Sequence, residues 1–198
     1  MSAAYAERAR AERIAEMIRR QIVQLKVSLA DVTPPVWRRV LVPGGYTLDR
    51  VHRVIQCVMG WQDCHLHSFD IDGVQYGRPD PEGELRLRDE LDVRLDAVAT
   101  KGGRFRYTYD FGDWWDHEVT VEDIFGADPD ERYPMCLDGE RACPPEDVGG
   151  PFGYRQFLAA LADPDHPEHE PMRRWLGRRF DPSAFDADRA STLLRWLT

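Results

Sequence analysis

Residues 104–125, RFRYTYDFGDWWDHEVTVEDIF, decide the fold. Phe105, Tyr107, Tyr109 and Phe111 fall on alternate positions, opposite Arg104, Arg106 and Asp110. Successive side chains of a strand point to opposite faces, so this period of two predicts a strand over 104–111 with an aromatic buried face. After Gly112-Asp113-Trp114-Trp115 the alternation resumes, with His117, Val119 and Val121 on one side. A second strand over 116–124 follows, and with it an antiparallel hairpin.

The same reading extends in both directions. Gln21–Val32 alternates Ile22, Gln24, Lys26 and Ser28 against Val23, Leu25, Val27 and Leu29, as a strand with one buried face does. Thr33-Pro34-Pro35 breaks it, Val36–Val42 reads as the return strand, and Pro43-Gly44-Gly45 closes the unit. Thr47 stands as N-cap to a helix carrying Leu48, Val51, Val54, Ile55 and Val58 up to Gly60. The stretch HLHSFDIDGVQYG, with its Asp72-Gly73 step, predicts a further hairpin, and Leu85–Leu91 a short strand. Residues 132–150, rich in Pro and Gly, read as an ordered loop; helices are expected over 153–162, 169–177, 187–197 and, at the other end, 3–20. The order predicts an α+β fold: a mixed or antiparallel sheet of hairpins, one helix after the first hairpin, and a C-terminal group of helices. Residues 1–21 read as a helical arm and 22–198 as a single domain.

Of the 198 residues 42% are hydrophobic and 11% aromatic, enough to build a core, which excludes wholesale disorder. No apolar run reaches the roughly 18 residues of a membrane span, so no membrane role is expected. The charged N-terminus has no apolar signal region and four Cys suggest reduced thiols or metal ligands more than disulfides, which together predict a cytoplasmic protein. The net charge of −9 is uneven: residues 110–147 alone carry −11, and the remainder +2. Such a block repels phosphate backbones and attracts cations or a basic protein partner. Nucleic acid would have to use Arg8, Arg10, Arg13, Arg19 and Arg20, or Arg173, Arg174, Arg178 and Arg179; the N-terminal set is offset by Glu7, Glu12 and Glu16.

Four stretches together resemble the plasmid pRiA4b ORF-3-like family, also labelled an insertion-element passenger protein family. They are QLKVSLADVTPPVWRRVLVP, MGWQDCHLHSFDIDGVQYG, YTYDFGDWWDHEVTVE and CLDGERACPPEDVGGPFGYRQFLAAL, and they span residues 24–161. The resemblance implies a compact α+β domain often carried on mobile or plasmid-borne DNA. It implies no activity, because genomic company is not mechanism.

Candidate chemistry lies in His, Cys and acidic residues. His65 and His67, two apart on an expected strand, share a face, and His117 joins them on the inward side of another. His-x-His on a strand lets two imidazoles reach one divalent ion, with Asp110, Asp113 or Asp116 as added carboxylate; half-buried histidines paired with carboxylates are the alternative. The three Asp, at intervals of three, equally suit Mg²⁺ or Ca²⁺, or a solvated turn. Cys136 and Cys143 could hold zinc with histidines, although six intervening residues exceed the usual C-x₂₋₄-C; two plain thiols are the alternative. Trp114 and Trp115, being adjacent, cannot both face the core from a strand or turn, so one is a candidate stacking platform; both packing under the Cys143–Asp147 loop is the alternative. Glu146 and Asp147, in the Pro144–Gly150 loop, are candidate binding or acid–base residues, or merely a lead into the next helix. No G-x-S-x-G elbow, Walker loop, HExxH or G-x-G-x-x-G is present. The reading is a non-enzymatic binding or accessory module, with linkage to mobile genetic elements; the alternative is a metal-dependent hydrolase or nuclease using the His/Asp/Cys cluster. No cofactor is fixed by the sequence; a divalent metal, zinc first, is the candidate.

Overall fold

The aromatic alternation at 104–109 forms the middle of an eight-stranded sheet. The computed structural model describes residues 21–79, 86–177 and 179–197. Within these the strands are β1 (Gln21–Leu29), β2 (Trp37–Pro43), β3 (His67–Ile71), β4 (Val74–Gly77), β5 (Arg88–Asp89), β6 (Arg104–Tyr109), β7 (Trp115–Gly126) and β8 (Met135–Glu140). The helices are α1 (Leu48–Met59), α2 (Leu95–Val98), α3 (Gly150–Ala162), α4 (His169–Leu176) and α5 (Ala187–Leu194). Strand order is β5-β4-β3-β6-β7-β1-β2-β8. Every pairing is antiparallel except β4 with β5, so the sheet is mixed and the fold α+β, as the sequence predicts. The expected arm falls outside the described residues apart from Gln21, which opens β1.

One face of the sheet is apolar. Val23, Leu25, Val27, Val40, Val42, Val119 and Val121 from the right half meet Phe69, Phe105, Tyr107 and Tyr109 from the left, all buried. The apolar face of α1 covers them, with Leu48, Val51, Ile55 and Val58 buried at helical spacing. Each such aliphatic side chain contributes about 1.5–3 kcal/mol when removed from water. The opposite face is polar and laced with ion pairs, among them Arg39–Glu122 at 2.6 Å and Arg104–Glu118 at 3.3 Å. Glu122 reaches Arg39 and Gln24 because it is the extra residue of a bulge, Gln24 pairing with Asp123 and Leu25 with Val121.

One sequence expectation is corrected and two are narrowed: residues 132–150, read as a loop, contain the edge strand β8, whose Met135–Glu140 pairs with β2. β6 ends at Tyr109, two residues early, because Asp110 (φ 57) and Trp114 (φ 58) take left-handed backbone and fold 110–114 into a turn closed by Trp114 N–H to Asp110 O. Phe111 therefore leaves the strand and packs on Trp114, with ring centroids 5.8 Å apart. The strand expected over 85–91 shrinks to Arg88–Asp89, followed by a 3-10 turn at Glu90–Asp92.

Helix α3 starts at Gly150, three residues earlier than the apolar pattern suggests, with Pro151 preset in its first turn. Gly150 has φ +65, and a Cβ there would lie 2.4 Å from the carbonyl oxygen of Asp113. Only glycine lets the 147–150 loop lie this close to the β6–β7 turn. The Asp113 carboxylate accepts the Gly149 N–H at 2.9 Å and fastens the two segments.

At the right edge, α5 lies along β8. Ser191 accepts the Cys136 N–H and donates its hydroxyl to the Cys136 carbonyl, both at 2.8 Å. The structure thus closes the edge strand with a side chain.

Candidate functional site

His65 sits on the loop between α1 and β3, where Asp63 takes left-handed backbone (φ 54). Two further segments reach it. The end of β6 brings Asp110, whose N–H donates to the Leu66 carbonyl at 2.8 Å. The loop fastened by Asp113 brings Glu146 and Asp147. His65 Nε2 lies 3.1 Å from Asp147 Oδ1, 3.6 Å from Asp110 Oδ2 and 4.0 Å from Glu146 Oε2. The sulfur of Cys64, His65 and Glu146 offer three donor atoms within 4.8 Å of one another; His65, Asp110 and Asp147 offer a second such set.

The hydrogen bonds around Glu146 are one-sided. Its Oε1 accepts the Gln62 N–H at 2.6 Å and the Tyr109 hydroxyl at 3.1 Å. Burial first, and then the contact with Cys64, raise the Tyr109 pKa well above that of a free phenol, so it remains a donor. The Tyr109 hydroxyl oxygen also accepts the Cys64 N–H at 3.1 Å. Glu146 Oε2, by contrast, is buried without a hydrogen bond, and so is His65 Nε2 facing it. The 3.1 Å contact with Asp147 is close enough for an ion pair but does not satisfy the imidazole as a hydrogen bond. Two orphaned polar atoms turned toward each other are costly unless something lies between them.

The spacing suits a metal ion. Tetrahedral zinc with bonds of about 2.0–2.1 Å holds its nitrogen and oxygen donors about 3.4 Å apart. The three distances from His65 Nε2, 3.1, 3.6 and 4.0 Å, bracket that edge. The donors combine an imidazole, carboxylates and a thiol, a set that suits zinc.

The other histidines go elsewhere. His67 opens β3 and stacks face to face on His52 of α1, with centroids 3.5 Å apart and planes 6° off parallel. His52 Nε2–H donates to Asp63 at 2.8 Å, and its Nδ1 accepts from the Tyr107 hydroxyl at 2.8 Å. Tyr107 in turn accepts from Gln56, and His67 donates to Glu90 at 2.7 Å. Burial, then the adjoining His67, lower the His52 pKa to about 4, so the ring is neutral near pH 7. His52, Asp63 and His67 lie close enough to suggest a second metal site. Parallel rings, however, aim their lone pairs past one another, and the His52 nitrogens and His67 Nε2 already have partners.

No close donor set among the described residues includes His117, Asp113, Asp116, Cys136 or Cys143. His117 is fully buried; its Nδ1–H donates to the Tyr107 carbonyl at 3.2 Å, and burial lowers its pKa to about 4. Asp116 accepts from Thr108 at 2.5 Å. Burial raises the Cys136 thiol to about 11 and raises Cys143 further, so both remain protonated. Trp115 is wholly buried and Trp114 is 58% exposed, which resolves the pair into one core ring and one surface ring. Arg173, in the basic C-terminal set, pairs with Glu170 at 3.1 Å.

Cys64, Tyr109 and the His52–Gln56 pair escape the sequence reading. His52 and Gln56 carry a legible signal, polar residues one turn apart on the inward face of an apolar helix. Cys64 directly precedes His65, but its importance depends on a glutamate 82 positions later.

Residues 21–189 match the model of a family described as "Plasmid pRiA4b ORF-3-like protein". The chain is 45% identical over 158 residues to "Uncharacterized protein y4hQ" of Sinorhizobium fredii (strain NBRC 101917 / NGR234), covering 79% of this chain and 81% of that one. Among solved structures it is similar to "Protein of Unknown Function MM3350" from Methanosarcina mazei Go1, at 38% identity and a TM-score of 0.78, over 85% of this chain and 97% of that chain.

Proposed function

The chain belongs to the plasmid pRiA4b ORF-3-like protein family, whose description names no reaction, and from the geometry we propose a non-enzymatic binding module organised by one divalent cation, zinc first. The observation that carries this is the orphaned pair, Glu146 Oε2 and His65 Nε2, 4.0 Å apart and without hydrogen bonds. A cation between them satisfies both with the Cys64 sulfur as third donor, and Asp110 and Asp147, which form the other close set with His65, stand beside it. Asp147 is 70% exposed, so this side of the cluster is open. The Asp113–Gly149 hydrogen bond links the Asp147 loop to the turn bearing exposed Trp114. Binding the cation orders this acidic, aromatic surface, which complements a basic protein partner better than a nucleic acid.

Among the described residues no helix is long and apolar enough to cross a membrane. The proposed module is cytoplasmic, where its four free thiols stay reduced, and is linked to mobile elements through the family's genomic company. A hydrolase or nuclease would use the same open side for a metal-bound water; turnover of phosphodiester or ester probes by the zinc-loaded protein would select that reading.

The experiment is thermal unfolding of untagged protein with Zn²⁺, Mn²⁺, Mg²⁺ and Ca²⁺. Zinc at 100 times its Kd adds about 2.7 kcal/mol, a rise of about 5–10 °C for a chain of this size. Glu146→Gln and His65→Ala are each expected to abolish the rise while unfolding cooperatively. Substituting Co²⁺ gives a sulfur-to-cobalt absorption band if Cys64 is a ligand. Equal melting curves with and without all four ions refute the cation reading.

A further inference from the structure

On the other side of Glu146, a groove of about 610 Å³ runs between the end of α1, the 142–146 loop and the chain from Arg179 to Leu193. Part of its wall is Arg38, a residue only 1% exposed. A guanidinium has five N–H donors. Nε donates to the Val58 carbonyl at 2.8 Å, and Nη1 to the carbonyls of Trp37 and Glu140 at 2.7 and 2.9 Å. Nη2 takes part in none of these bonds and is not among the buried atoms closed off without a partner. The Phe185 ring, 3.9 Å away, covers one face of the charge.

No carboxylate among the described residues neutralises this buried cation. Three carboxylates, of Glu146, Asp181 and Asp186, also line the groove, but each is hydrogen-bonded elsewhere and none forms an ion pair with an arginine of the groove. Burial keeps the Cys143 thiol protonated, so it supplies no counter-charge. Arg179 and Arg189 line the same groove and form no ion pair with a described residue. Phe180 and Leu193 add apolar wall beside the three guanidinium groups.

We propose that this groove binds a small organic oxyanion, a carboxylate or phosphate monoester on a flat apolar body. An oxygen accepts an Nη2 hydrogen of Arg38, Arg179 and Arg189 approach the charge from the rim, and the body rests on Phe180 and Leu193. Charge-assisted hydrogen bonds of this kind select the anion over a neutral molecule of equal shape.

The test is titration of full-length protein, with EDTA present so that the cation site plays no part, using phenyl phosphate, benzoate and neutral benzyl alcohol. Arginine side-chain N–H resonances are followed by NMR. Saturable shifts of the Arg38 signals with one or both anions, and affinity at least tenfold weaker for benzyl alcohol, support the proposal; the preferred anion identifies the oxyanion. Arg38→Met is expected to weaken anion binding at least tenfold. Because that variant removes three internal hydrogen bonds, Ala184→Trp, an exposed groove residue, is the companion: it obstructs the groove and loses binding with unchanged melting. Absence of saturation at millimolar anion, equal affinity for benzyl alcohol, or full binding by Ala184→Trp overturns the proposal.

Discussion

Acid should destabilise this domain well before its carboxylates protonate, because two histidines are held neutral in the folded state. His52 and His117 both have folded pKa values of about 4, against 6.5 for the free side chain. The unfolded chain therefore binds more protons between these values, and stability is complete above pH 6.5, declines as pH falls, and levels off below about 4. A tenfold change in proton affinity corresponds to about 1.4 kcal/mol, so each histidine costs about 2 kcal/mol at pH 5 and about 3 kcal/mol at pH 4. Together they remove about 4 kcal/mol at pH 5, a large part of the roughly 5–15 kcal/mol that stabilises an ordinary domain. The structural reason is clearest at His117, where protonation creates a charged N–H at Nε2 with no acceptor. Urea unfolding, read by circular dichroism and tryptophan fluorescence, gives the midpoint at each pH. With a slope of about 2 kcal/mol per M, the midpoint should fall by about 2 M between pH 7 and pH 5. A His117→Met variant, which cannot titrate there, should show about half that fall. A flat midpoint from pH 7 to pH 5 would refute the argument.

Two further outcomes follow from single contacts. Tyr107→Phe leaves His52 Nδ1 and Gln56 Nε2 without their shared partner in a buried site, and should cost about 1–3 kcal/mol in chemical unfolding while leaving zinc affinity unchanged. Gly150→Ala puts a Cβ against the Asp113 carbonyl at a φ of +65, so it should lower the melting temperature by several degrees, about 1–3 kcal/mol, and weaken zinc binding by displacing Glu146.

Period-two alternation reads β6, β7, β1 and β2 to within a few residues, because one buried face dictates the pattern. It overruns at Asp110, where non-glycine residues with positive φ end the strand, since aspartate and tryptophan give no reliable sign of that conformation. The same alternation puts His65 and His67 on one strand. The strand begins only at His67, so the two rings diverge, one to the loop cluster and one to the stack on His52. Asp110, Glu146 and Asp147 are legible as candidates by residue type. Their approach to His65 is set by how loops dock, through Asp113 on Gly149 and Asp110 on Leu66, and such long-range fastenings leave no local period.

The bond pair between Ser191 and Cys136 bears on how the molecule behaves in a crowded solution. An edge strand with free N–H and C=O groups invites another chain to pair with it. Here one hydroxyl occupies the donor and the acceptor of the same backbone residue, standing in for a ninth strand. A second copy cannot extend the sheet at this point without first lifting α5 away. The Ser191 hydroxyl is therefore a guard against fibrillar self-association, and its loss would expose that hazard in partly unfolded molecules before it altered the native fold.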